Sequence, residues 1–156
     1  MPGTGRTARN GTDDLNRDVY IFLNLVAARF ASDVDRLCRE EDLTEAHYRI
    51  LWVLCLADAN EGMTMGEIVD GLVNKASDAT RLVDKLERQG LVKRSQSKDD
   101  RRRMIVKVTA AGRRVFARLT PRIKELHVEQ MAGLTEADKR SLTSLLNAAL
   151  WGYSRD

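Results

Sequence analysis

The chain has 156 residues, 43% of them apolar and 31% charged, enough for one domain or two small modules with a packed core and a charged surface. That balance excludes a disordered chain, and no apolar run is long enough to span a membrane. The formal net charge of +3 is unevenly spread: Lys75 to Lys107 hold eleven basic and five acidic residues, a local +6 that leaves −3 for the remainder. Such a basic island is the footprint expected of a polyanion contact.

Residues 1–12 are polar and glycine-rich and read as a flexible arm. They lack the basic-then-apolar form of a signal peptide, so a cytoplasmic protein is expected. From about Leu15 to Leu37, apolar residues recur at spacings of three and four, which predicts a long amphipathic helix. Thr44 can cap a second helix reaching about Ala57. Thr64 and Glu67 form a T-x-x-E capping box that opens a short third helix. Asn74 can cap a fourth, near Lys75 to Gln89, which Gly90 stops.

Two strands follow, GLVKRS and MIVKVT, joined by a stretch that holds Arg101, Arg102 and Arg103. Thr109 can cap the next helix, in which Pro121 predicts a kink, and Thr135 with Asp138 opens the last. The expected fold is therefore mainly α with a small β-hairpin wing: a winged helix-turn-helix flanked by dimerisation helices. The divisions are an arm at 1–12, an N-terminal dimerisation helix at 13–42, the winged helix-turn-helix at 43–109 and C-terminal dimerisation helices at 110–156. The long apolar stripes of the first and last helices have no third layer to cover them, and this predicts a homodimer.

In the fourth helix Ala79, Leu82, Val83 and Leu86 share the core face. Ser77, Asp78 and Thr80 are short polar residues of the first turns, where a recognition helix comes nearest to base edges. Arg81 can donate twice to guanine O6 and N7. Lys75, Lys85 and Arg88 suit phosphates. Asp78 can serve the helix dipole, accept from cytosine N4 or hold an arginine. On the wing, Arg101 or Arg102 is expected in the minor groove and Arg103 on a phosphate, with Asp99 and Asp100 available as braces.

Catalytic chemistry is missing from the sequence. His47 and His127 are far apart, and no H-E-x-x-H, C-x-x-C, G-x-G-x-x-G or Walker pattern occurs, so no enzyme, cofactor or metal is expected. Cys55, within RILWVLCLA, reads as a buried small hydrophobe; Cys38, ending a helical pattern, reads as the more exposed of the two.

The motifs LTEAHYRIL, TRLVDKLERQGLVKR and DDRRRMIVKVTAAG, in this order and spacing, resemble those of the MarR family of winged helix-turn-helix regulators. The resemblance runs from Leu43 to about Leu150. It implies a homodimer joined by its first and last helices, with the fourth helix in the major groove of a palindromic double-stranded DNA operator and the wing in the minor groove. It also implies that Asp100 of the D-R-R motif braces an arginine, with Arg81 a candidate. A small aromatic effector is implied in a cleft between the dimerisation and DNA-binding regions, and Phe30, His47, Tyr48, Trp52 and Phe116 are candidates to line it or to pack the core. Ser97 and Lys98 replace the acid and proline usual in the wing, and Ile68-Val69 stand where Leu-Ala is common. A repressor released by its effector is the expected role. A ligand-independent activator, an architectural protein and a protein-interaction module would share the same motifs.

Overall fold

A computed structural model of the protein describes residues 11–57, 62–72, 78–97 and 102–152. Its order is α1 (Gly11–Cys38), a 3-10 turn (Arg39–Glu41), α2 (Glu45–Leu56), α3 (Met65–Gly71), α4 (Ala79–Arg88), β1 (Val92–Gln96), β2 (Met104–Val108), α5 (Ala110–Gln130) and α6 (Glu136–Gly152). The expected class, helical with a two-stranded wing, is the observed one.

Local chemistry sets most helix starts. Glu67 accepts the Thr64 amide at 2.7 Å while the Thr64 hydroxyl accepts the Glu67 amide, closing the box that opens α3. Thr135 and Asp138 repeat the arrangement at α6. At α2 the third residue of the box is His47, whose Nδ1 accepts the Thr44 amide at 3.1 Å. α4 ends in a Schellman motif: Gly90 (φ +69°) donates to Glu87 and Leu91 to Leu86, each at 2.9 Å. Its start differs from expectation. Asp78, with φ −112° and ψ 17°, is outside the helix as its N-cap, and its side chain makes no capping bond. Asn74 lies outside the described residues. α1 begins at Gly11, within the segment expected as an arm.

The core surrounds α2, whose Ile50, Leu51 and Leu54 are buried against α3, α4, the wing and α5. β1 and β2 pair antiparallel from Val92↔Val108 to Gln96↔Met104. A third segment, unforeseen from the sequence, joins them: Met63 exchanges two backbone hydrogen bonds with Val106, at 3.0 and 2.7 Å. α5 remains helical through Pro121. The cysteines are the reverse of expectation. Cys38 is fully buried, and burial, followed by the nearby Asp35 and Glu45, pushes its thiol up to about 12; Cys55 is only partly covered. Cys38 fills space at the α1–α2 corner, and its protonated thiol is a poor nucleophile.

Two helices project beyond this core. Among the described side chains of α1 only Val34 and Cys38 are buried, and α6 buries none. Leu15, Val19, Phe22 and Val26 of α1 and Leu145, Leu146 and Leu150 of α6 are exposed. Between them runs an apolar groove of about 660 Å³, lined among others by Leu23, Phe30, Met131 and Leu142. No described helix is long and apolar enough to cross a membrane.

The wing, the end of α4 and the start of α5 meet with no room for a side chain: a Cβ at Gly112 would lie 2.1 Å from the Leu91 carbonyl oxygen. Gly112→Ala should therefore lower stability by roughly 1–3 kcal/mol or more through overpacking, read as a lower urea midpoint at unchanged slope. An unchanged midpoint would mean the junction yields.

Candidate nucleic-acid interface

Burial divides α4 lengthwise. Ala79, Val83 and Leu86 face the core, and Thr80, Arg81 and Arg88 are exposed. By the 3.6-residue period Arg81 and Arg88 point almost opposite to the core stripe. Neither has an ion-pair partner among the described residues, so both guanidiniums face solvent with their donors unspent. Lys93 of β1 is exposed as well.

Other cations of the basic island are engaged. The Lys85 ammonium donates to Asp42 at 3.2 Å, and Gln89 donates to the same carboxylate at 2.9 Å. Asp42 is held for this by a left-handed backbone, φ 54°, in the turn between α1 and α2. The phosphate role expected of Lys85 therefore requires it to leave Asp42 or to share it. Arg103 donates at 3.1 Å to Glu67, the carboxylate that also caps α3, so its expected phosphate contact faces the same competition. Arg102 is exposed at the far end of the wing. Asp78 is exposed at the head of α4. Lys75, Ser77, Asp99, Asp100 and Arg101 lie outside the described residues, and with them the expected brace by Asp100.

Arg94 escaped the sequence reading except as a unit of charge. On β1 it lies between two carboxylates of α4, donating to Asp84 at 2.6 Å and to Glu87 at 2.7 Å, and its backbone N–H donates to Glu87 at 3.0 Å. The acids at 84 and 87 stand three apart on one helix flank, and that spacing was the available signal. The strand partner could not be assigned without the register.

The aromatic residues expected in one cleft separate. Between α1, α2 and α5 lies a cleft of about 430 Å³ whose lining includes Val34, Tyr48, Trp52, Ile123, Arg49 and Lys124. Tyr48 and Trp52 belong to it. Phe116 stands behind, its ring stacked on Tyr48 at 5.6 Å, and the Tyr48 hydroxyl meets Thr120 at 3.2 Å. Two expectations need correction. Phe30 lines the α1–α6 groove: it lies one helical turn before Val34 on the same side of α1, and the cleft does not extend to it. His47 is buried as the box residue of α2 and does not line the cleft. Burial, together with the charge of Lys85, lowers its pKa against the smaller pull of Asp42 and Asp35. Among the described residues no group of histidine, cysteine and carboxylate side chains could hold a metal.

Residues 43–104 match the sequence model of the MarR family, a stretch that takes in α2, α3, α4 and β1 and ends at the first residue of β2. The chain is 28% identical over 137 residues to the transcriptional repressor IacR of Pseudomonas putida, covering 86% of this chain and 80% of the relative. Among solved structures, a MarR variant of Escherichia coli complexed with operator DNA superposes with a TM-score of 0.77 at 23% identity, over 85% of this chain and 94% of that one. CouR of Rhodococcus jostii, bound to p-coumaroyl-CoA, superposes at 0.75 and 23% identity, over 91% and 98%. At such identities the superpositions speak to the fold. With the motifs in place, residues 43–104 carry a MarR-family winged helix-turn-helix, and the chain as a whole shares the fold of the superposed regulators.

Proposed function

We propose that the protein acts as a dimer that binds a palindromic operator and represses from it, and that a small aromatic anion releases it. The observation that carries the reading is the outward face of α4, where Thr80, Arg81 and Arg88 stand exposed beside a basic wing, opposite a stripe locked into the core. Arg81, nearer the helix start, would donate to a guanine, and Arg88 and Lys93 to phosphates. The uncovered apolar sides of α1 and α6 support the dimer, since exposed patches of that extent mark interfaces. Likeness to IacR, a repressor, supports the sign of regulation.

The cleft supports the effector. Its floor is apolar, and its cations outnumber its one carboxylate, Glu45, which Arg49 already engages at 2.8 Å. Lys124 is exposed at the rim. An aromatic ring against Tyr48 and Trp52, with a carboxylate on Lys124, would fit this division of apolar and charged surface. The cleft joins α5 and α1 to α2, so a ligand that prefers one spacing of these helices shifts the separation of the two α4 helices in a dimer.

Selection from random duplexes should return an inverted repeat with half-sites about 34–36 Å apart, bound in sedimentation at twice the chain mass. A monomer on an unrepeated site would contradict the reading. Arg81→Ala should cost roughly 1–3 kcal/mol in discrimination between that duplex and a scrambled one; equal losses on both duplexes would make Arg81 a phosphate contact. Simple aromatic carboxylates at millimolar concentration should release the duplex, and Lys124→Ala should weaken that release about tenfold or less, as for a single exposed charge. Release by uncharged aromatics alone would remove Lys124 from the site.

A further inference from the structure

Arg94 belongs to the basic island by sequence, but its guanidinium is turned away from the face that carries Arg81 and Arg88. Its side chain is 23% exposed, and its Nη2 and Nη1 are taken by Asp84 and Glu87 at 2.6 and 2.7 Å. Glu87 is used completely: one oxygen accepts the guanidinium and the other accepts the Arg94 backbone amide at 3.0 Å. The strand backbone itself is thereby hydrogen-bonded to a side chain of α4. Arg94 pairs with Val106, the middle of the hairpin and the residue that also bonds to Met63. A described side-chain tie between the wing and α3, Arg103 to Glu67, is half exposed at both ends and weaker for it.

We infer that Arg94 is the positioning residue that sets the angle between α4 and the wing, so that major-groove and minor-groove contacts are made in one register. The inference rests on the reading of α4 and the wing as the DNA-contacting elements. Its physical basis is leverage. From Arg94 to Ser97 the strand covers about 10 Å at ~3.3 Å per residue. A swing of about ten degrees at the clamp then moves the wing's far end by roughly 2 Å, enough to break a hydrogen bond of ordinary length. A planar guanidinium with two arms fixes the angle between two carboxylates; an ammonium offers one point charge and does not.

Charge has to be kept constant in the test, since removing it would leave Asp84 and Glu87 uncompensated on α4 and weaken every DNA contact through the added negative charge. Arg94→Lys does this, and Glu87→Asp, shorter by one methylene at the same charge, serves as a second variant on the helix side. Each is combined with Arg102→Ala on the wing and with Arg81→Ala on α4, and titrated at several salt concentrations against the duplex recovered by selection. Without DNA, hydrogen exchange of the β1 and β2 amides is followed.

A positioning role predicts an unchanged salt slope in Arg94→Lys. Arg102→Ala, costing several-fold in the parent, should cost less than twofold in that background, while Arg81→Ala keeps its full cost. The strand amides should exchange faster and those of α4 should not. A slope lower by about one would make Arg94 a phosphate contact and overturn the inference. Full costs for both Arg81→Ala and Arg102→Ala in the Arg94→Lys background would overturn it also, as would equal loss of both, which marks general unfolding. Should the parent bind no duplex at all, the DNA reading fails by itself, and unchanged strand exchange in Arg94→Lys would still overturn the clamp.

Discussion

At the foot of the wing the Leu91 carbonyl accepts both the amide and the hydroxyl of Thr109, at 3.0 and 3.1 Å, while Gly112 leaves the space a Cβ would fill. Three elements end or begin within these few residues: α4 closes at Gly90, β2 at Val108, and α5 opens on Thr109. The Thr109 hydroxyl also accepts the Gly112 amide, so one side chain caps α5 and holds it to the end of α4. The direction in which α5 leaves is thus tied to the direction in which α4 points. The apolar helices connect to α4 through this junction, through the packing of α2 and through the contacts of Asp42 with Lys85 and Gln89.

The charge of the basic island acquires its meaning from that frame. Arg94 is spent on Asp84 and Glu87, Lys85 on Asp42, and Arg103 on Glu67, and these contacts tie the wing to α4, the α1–α2 turn to α4, and the wing to α3. Arg81 and Arg88 keep their donors for a partner. A polyanion-binding surface built this way has fewer contacting cations than its sequence charge suggests, but they are presented on elements whose mutual angles are fixed. Ordering costs at binding fall accordingly.

Much of the fold was legible because it is local. Thr44, Thr64 with Glu67, Thr109, and Thr135 with Asp138 announce helix starts within four residues, and Gly90 announces an end. Alternation showed the two strands, and the three-four spacing showed which side of α4 is buried. What was not legible depends on juxtaposition across the chain. Asp42 reaches Lys85 from 43 residues away, and Met63 reaches Val106 from a segment with no strand pattern of its own. Cys38 and Cys55 were misjudged because burial follows from the corner between α1 and α2, not from the apolarity of the neighbours. Phe30 and Tyr48 share an aromatic character and were grouped, yet Phe30 lies a full turn before Val34 along α1, where α6 and not α2 is the neighbour across the groove.

The account stands on one geometric claim: two copies of α4, each with its wing, approach one duplex from the same side. Hydroxyl-radical and methylation footprinting of the selected duplex tests it directly. The account predicts two protected major-groove patches one helical turn apart, each flanked outward by minor-groove protection that Arg102→Ala removes without disturbing the major-groove pattern. A single continuous protection, or major-groove patches that vanish together with the wing contact, would contradict it.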